Sequence, residues 1–208
     1  MSLSCMEDLS DVFEGGYNSG YTPIIMKIDM EDGAAWSNKH TFVMEEHFSH
    51  HRRRVLLDAS SHEYICTMRK KKGTLHGRWK VYKGEYNGDK SAKLCFIVKR
   101  PSIIMSEKCF HLDIFLAKNT EERVCKVNVT DDICEIIAGP RSLAKTKMEG
   151  SIMEVMIEAN VDLALIVSVL VILDEIKHNK LRKVVKGVTN TILGIGKIAM
   201  LITVGESF

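Results

Sequence analysis

Residues 160–175, with the sequence NVDLALIVSVLVILDE, decide the fold. Asn160 suits a helix N-cap and Asp162 suits the first turn, so the stretch predicts a helix at about 160–178. Apolar residues cover every face of that helix, and such a helix has to be buried in a protein core or in lipid. The residues that we expect at its buried centre are Leu165, Val169 and Ile172.

The length of this apolar helix separates the two ways of burying it. Acidic residues close both ends of the apolar run, and the run is shorter than the roughly 30 Å of hydrocarbon that a membrane helix has to cross. A transmembrane helix is therefore the disfavoured alternative. A helix threaded through a β-barrel is the soluble architecture that buries every face.

The chain before the helix has the pattern of short strands separated by turns. Their spacing, with turn residues such as Asn87 and Gly88 between them, predicts hairpins in an antiparallel sheet or barrel. No helices alternate with these stretches, which disfavours a parallel α/β sheet and its dinucleotide site. The predicted strands are Ile24–Ile28, Thr41–Met44, Val55–Asp58, Tyr64–Met68, Arg78–Tyr82, Leu94–Val98, Leu112–Leu116, Val124–Val129, Ile133–Ile137 and Met153–Glu158.

Charge is strongly segregated along the 208 residues, although the net charge is only +2. Residues 1–51, 52–100, 101–176 and 177–208 carry net charges of −7, +10, −6 and +5. A surface that faces a polyanion should therefore come from 52–100 and from the tail. The plainer interpretation of such blocks is solvated strand faces and turns.

The cysteines and the N-terminus indicate a reducing compartment. The six cysteines form no CxxC or CxxH motif, and the first residues lack the basic and apolar regions of a signal peptide. We therefore expect reduced thiols in a cytoplasmic protein that is not secreted. Possession of a cofactor is not expected, because a chain of this size can bury an adequate core without one.

No arrangement of residues points to catalysis. The stretch Glu45–His51 is rich in metal-ligand side chains but lacks the HExxH spacing, so a solvated loop is favoured over a metal site. The sequence contains no Gly-x-Ser-x-Gly elbow, P-loop or EF-hand loop. We expect no catalytic residue, no metal and no enzymatic activity.

Several strings resemble the plant LURP-one-related family. Residues 55–59 and 64–71 (VLLDA and YICTMRKK) resemble its VLMDA and LLTIRRK hairpin, and residues 75–85 (LHGRWKVYKGE) resemble its LHDRWEVYRGE. Residues 160–176 resemble its NVDxAF and VVILDEI strings. Together with Leu112–Leu116, these strings follow the family's order along most of residues 42–176.

This resemblance implies a mainly β fold, an antiparallel tubby-like barrel of about twelve strands around a central apolar helix. It also implies kinship with phospholipid scramblases and with tubby-like membrane-tethered transcription factors, and a link to plant defence. The first strand pair is hard to recognise within 10–40, and Val124–Glu135 is short for the strand pair expected there. The barrel could therefore lack one or two strands and expose an unpaired edge. The domains are a diverged N-terminal segment at 1–39, the barrel at 40–180 and a tail at 181–208.

Two binding hypotheses follow from the basic residues near the predicted strand ends. In the first, they bind an anionic phosphoinositide headgroup, as the tubby-like resemblance suggests, or a protein partner. In the second, less favoured one, they contact DNA phosphates, although no exposed recognition helix is evident. A diverged copy without activity is a further alternative. The residues concerned are Arg52, Arg53, Arg54, Arg69, Lys70, Lys71, Lys72, Lys99 and Arg100.

The tail from about residue 181 combines a basic start with an apolar stripe of helical spacing. This pattern predicts a helix lying on an anionic membrane, with a helix packed on the barrel as the alternative. We expect a monomer in the cytoplasm, with peripheral attachment to the plasma membrane or a nuclear location. The tail residues expected to contact the membrane are Lys180, Arg182, Lys183, Lys186, Ile192, Ile195 and Ile202.

Overall fold

A computed structural model describes residues 9–177, except 11, 15, 48–52, 72, 74–76, 90, 102–108, 131–132 and 150. The chain divides into two compact units, Met1–Leu170 and Val171–Phe208. The predicted membrane-contact tail, residues 181–208, lies outside the described residues, as do Lys180, Arg52 and Lys72.

The described chain consists of twelve strands followed by one helix, α1, at 163–177. Several strands alternate buried and more exposed residues, as expected where one face lies against a core, whereas three others contain runs of three or four buried residues. The strands are β1 (Ile24–Asp29), β2 (Ala34–Trp36), β3 (Thr41–His47), β4 (Arg53–Asp58), β5 (Tyr64–Lys70), β6 (Trp79–Lys83), β7 (Leu94–Lys99), β8 (Cys109–Leu116), β9 (Cys125–Thr130), β10 (Ile133–Ala138), β11 (Arg141–Glu149) and β12 (Ile152–Ile157).

The strands form a closed antiparallel barrel in which each strand pairs with its neighbours in the sequence. β1 also pairs with β12, from Ile24 facing Ile157 to Asp29 facing Ile152, and this pairing closes the barrel. The predicted twelve-stranded barrel is confirmed, and the unpaired edge does not occur. The boundary at residue 40 falls after β2, because the first two strands of the barrel lie within the segment 1–39.

The strand pair expected between Val124 and Glu135 is present, and it extends beyond that interval to Ala138. β9 and β10 are separated by only two residues, and Thr130 faces Ile133 directly. Such a short connection is typical of antiparallel hairpins. No strand pair is therefore missing here, contrary to the expectation, because β10 continues three residues beyond Glu135.

The barrel interior is apolar, and the first two turns of α1 lie within it. Leu165 and Val169 are 1% and 0% exposed, and Cys66 Sγ on β5 lies 3.2 Å from Ser168 Oγ on α1. The Ser168 hydroxyl donates to the Ala164 carbonyl at 2.6 Å, which satisfies this buried polar group inside the helix. Ile172, in the second unit, is also fully buried. No helix in the described part of the chain has the length and hydropathy required to cross a membrane.

The start of α1 differs from the sequence prediction. The N-cap is Asp162, whose Oδ1 accepts a hydrogen bond from the Leu165 N–H at 3.1 Å, and the helix begins at residue 163. Asn160 has a φ of 57°, in the left-handed region that asparagine tolerates in turns. The chain therefore turns at Asn160 after β12 and reaches the N-cap, Asp162, two residues later, so the predicted N-cap was wrong.

An N-terminal segment, residues 9–20, is hydrogen bonded to the turn that leads into α1. Ser19 N–H donates to the Val161 carbonyl at 2.9 Å, and the Val161 N–H donates to Ser19 Oγ at 3.0 Å. Phe13 N–H donates to Asp162 Oδ2 at 3.0 Å. Since Leu9 and Phe13 are each only 2% exposed, this segment contributes to the core as well as to the helix cap.

Candidate anion-binding surface

The barrel topology gathers the basic block 52–100 into one sector. In a closed antiparallel meander, strands that are consecutive in the sequence are also neighbours in the wall, so this block forms the sector β4–β7. Alternating strand directions also place the last residues of β3, β5 and β7 and the first residues of β4, β6 and β8 at the same end of the barrel. The predicted clustering of basic residues near neighbouring strand ends therefore follows from the fold.

Three cations lie side by side on the outer face of this sector. Arg53 on β4 faces Arg69 on β5, and Arg69 in turn faces Lys80 on β6. We call Arg53, Arg69 and Lys80 the cation row. Their Cβ atoms should be about 5 Å apart across each strand pair, where like charges directly opposite one another are destabilising. An anion bound to the row would relieve this repulsion.

Two members of the cation row are held by the chain that follows β6. Arg53 Nη1 donates to the Tyr86 carbonyl at 2.8 Å and to Asn87 Oδ1 at 2.9 Å. The Arg69 guanidinium lies 4.7 Å from the centre of the Tyr86 ring. The Tyr82 ring stacks on the Tyr86 ring, with centroids 4.1 Å apart. Partial burial in this stack raises the pKa of the Tyr82 hydroxyl.

Thr67 fixes this covering segment to the barrel wall. Its hydroxyl donates to the Gly84 carbonyl at 2.8 Å and accepts from the Tyr86 N–H at 3.0 Å. Thr67 itself is 0% exposed. The two arginines thus project from a well-packed outer surface, which limits the conformational entropy that they lose when an anion binds.

The remaining predicted basic residues divide between the interior and exterior faces at the same end. Arg54 is on the interior face and lies 3.6 Å from Glu46. Lys70 lies 6.0 Å from the Trp79 ring and Arg100 lies 5.8 Å from the Phe110 ring. Because side chains alternate along a strand, these three residues are on the same face as the buried interior residues of their strands. They therefore belong to the mouth of the barrel and not to the cation row.

Lys99 is on the exterior, at the end of β7. Its Nζ lies 3.8 Å from the Phe115 ring centre and donates to the Thr120 carbonyl at 3.3 Å. Lys71 is exposed just after β5. Those predicted basic residues that the structure describes are therefore brought to one end of the barrel but not onto one face.

Sequence reasoning did not select Lys80, which completes the cation row. It lies within the predicted strand Arg78–Tyr82, and only the register between β5 and β6 shows that it faces Arg69. Among the described residues, no three or more His, Cys, Asp and Glu side chains are grouped as a metal site would require. The chemistry that the surface offers is electrostatic recognition of an anion.

Comparison with known proteins identifies the family. The family model described as LURP-one-related matches residues 23–174. Protein LURP1 of Arabidopsis thaliana is 35% identical over 162 residues, which cover 71% of this chain and 75% of that protein. Protein LURP-one-related 10 of the same plant is 38% identical over 151 residues, covering 65% and 76% respectively. No solved structure matches the chain.

The matched region begins one residue before β1 and ends within α1, so it contains all twelve strands of the barrel. It also contains the three residues of the cation row. From this match and the similarity to the Arabidopsis proteins, the chain belongs to the LURP-one-related family.

Proposed function

We propose that this protein is a non-enzymatic binding protein that attaches to anionic phospholipid headgroups through the sector β4–β7. The observation that carries the proposal is the cation row, in which Arg53, Arg69 and Lys80 face one another across three strands. Such a row is costly without an anion and favourable with one. Arginine is also well suited to bidentate contacts with phosphate oxygens.

The dimensions of the row suit a multiply charged headgroup. Neighbouring strands are about 4.8 Å apart, so the three side chains extend over roughly 10 Å. Each basic residue near an anionic leaflet contributes about 1 kcal/mol, and about 3 kcal/mol for the row corresponds to an affinity weaker than millimolar. A headgroup with several phosphates, or further basic residues at the same end of the barrel, is therefore needed for stable attachment.

A vesicle sedimentation assay tests this proposal. We would compare vesicles of neutral phosphatidylcholine with vesicles that also contain phosphatidylserine or a phosphatidylinositol bisphosphate. The double variant Arg69→Gln and Lys80→Gln should bind the anionic vesicles about 25-fold more weakly, since each lost charge corresponds to about fivefold. The matched control is Lys126→Gln with Lys147→Gln, which removes two charges from β9 and β11.

Two results would contradict the proposal. The first is equal binding of neutral and anionic vesicles, and the second is an equal loss of binding in the control variant. A parallel shift assay with duplex DNA separates the DNA hypothesis, because a protein that binds DNA phosphates but no vesicle would favour that alternative. Both assays should be run at two salt concentrations, since contacts with phosphates weaken as salt rises.

We also propose that the protein acts as a monomer in the cytoplasm, peripherally at the plasma membrane, with a role in plant defence. The resemblance to the tubby-like group motivates this part of the proposal, with a nuclear location or a protein partner as the alternatives. A fluorescent fusion of the Arg69→Gln and Lys80→Gln variant should lose its membrane signal. An unchanged membrane signal would assign attachment to another part of the chain.

A further inference from the structure

A second polar site lies on the outer face of β8–β11, outside the basic sector. It is an open pocket of about 590 Å³, within the range of small-molecule sites. Its floor is formed by the half-buried side chains of His111, Asn128 and Glu135 with the exposed Lys145, and Cys109 lies at its rim. We call this feature the outer pocket.

The four floor residues form one continuous row because of the strand register. His111 on β8 faces Asn128 on β9, Asn128 faces Glu135 on β10, and Glu135 faces Lys145 on β11. With strands about 4.8 Å apart, the row is roughly 14 Å long. It therefore has room for a ligand that makes several polar contacts at once.

Most polar groups of this row make no hydrogen bond or ion pair with another residue that the structure describes. Glu135 Oε1 accepts a hydrogen bond from Ser142 Oγ at 3.0 Å, and in the described ranges Glu135 has no ion-pair partner. Over the same ranges, the side chains of His111, Asn128 and Lys145 have no hydrogen-bond partner. A carboxylate and an ammonium group thus lie side by side, each with bonding capacity left for a ligand.

We propose that the outer pocket binds a small zwitterion, an α-amino acid or a dipeptide. The ammonium group of the ligand pairs with Glu135 and its carboxylate pairs with Lys145. A simple anion would be repelled by Glu135 and a simple cation would be repelled by Lys145, so a ligand with both charges fits best. Asn128 and His111 contact the polar remainder of the ligand.

Cys109 provides a reporter for this site that requires no added label. Its thiol is exposed at the pocket rim, so a bound ligand should slow its alkylation by iodoacetamide. The rate can be followed by peptide-resolved mass spectrometry on the full chain, with a panel of free amino acids and glycyl dipeptides as ligands. N-acetylated and amidated forms of the same compounds lack one charge each and should give little protection.

Two variants test the assignment of the charges. Glu135→Gln and Lys145→Met should each weaken protection by about tenfold, the change expected when one charge-assisted hydrogen bond is lost. The matched controls are Glu154→Gln and Lys147→Met, which face each other on β12 and β11 outside the pocket. They should leave protection unchanged.

The proposal fails if no zwitterion protects Cys109. It also fails if the acetylated or amidated compounds protect the thiol as well as the parent compounds, or if the control variants weaken protection equally. Vesicle binding does not enter this test, so the outcome is independent of the function proposed for the cation row.

Discussion

Replacement of Asp162 by alanine should destabilise the protein at the point where the N-terminal segment meets the helix. Asp162 is 1% exposed, and its two carboxylate oxygens accept from the N–H groups of Leu165 and Phe13. The first contact caps α1, and the second fixes the N-terminal segment over a separation of 149 residues. Alanine removes both acceptors and leaves the backbone N–H of Phe13 without its partner.

The expected cost follows from these two contacts. Loss of the N-cap costs about 1 kcal/mol, and leaving a buried N–H unsatisfied costs about 2 kcal/mol. The free energy of unfolding should therefore fall by about 3 kcal/mol, a large fraction of the 5–15 kcal/mol that is typical of a domain. With a urea m-value of about 3 kcal/mol/M, the midpoint should fall by about 1 M.

Urea unfolding followed by circular dichroism measures this change, with Asp32→Ala as the control. Asp32 lies in the exposed turn between β1 and β2, so its replacement should change the free energy of unfolding by less than about 0.5 kcal/mol. Hydrogen exchange at the Phe13 amide should also become faster in Asp162→Ala. A loss below about 1 kcal/mol, with unchanged exchange at Phe13, would refute the reasoning.

Three further predictions concern the core, the thiols and a surface ion pair. Leu165→Asp should abolish soluble expression, because an unpaired carboxylate in the core costs several kcal/mol, whereas Leu165→Met should remain soluble. Native alkylation should modify Cys109 well before Cys66, whose pKa is raised to about 12 mainly by burial. Hydrogen bonds from Lys93 and then Lys83 lower the pKa of Glu14 from 4.5 to about 2. An NMR titration should therefore show that the Glu14 carboxylate stays ionised well below pH 4.5, and Lys93→Met should raise the pKa of Glu14.

The sequence predicted most of the fold because most strands have clear apolar patterns. Ten strands were located, but β2 and β11 were not. β2 has only three residues, and only Ala35 among them is fully buried. β11 alternates Lys145 and Lys147 outward with Ala144 and Thr146 inward, so small and polar residues replace the large apolar ones that mark a strand. Strand pattern therefore failed where the interior side chain is small or polar.

The candidate site was predictable only in part, because register is not visible in a pattern of charges. The basic block indicated the sector, and the meander topology brought its strand ends together. The direct opposition of Arg53, Arg69 and Lys80 depends on two strand pairings that a one-residue slip would destroy. The outer pocket likewise exists only through three successive pairings, and its residues are scattered between positions 109 and 145.

The pairing of β1 with β12 sets the order in which the chain can fold. Eleven of the twelve pairings join strands that are adjacent in the sequence, but the closing pair joins Ile24 to Ile157. A loop of roughly 130 residues costs about 4 kcal/mol of closure entropy, whereas each hairpin pays far less. Closure should therefore come late and be slow. On the ribosome, the apolar inner wall has no partner until residues 152–170 emerge, so the nascent chain is most prone to aggregate just before its last strand and helix are made.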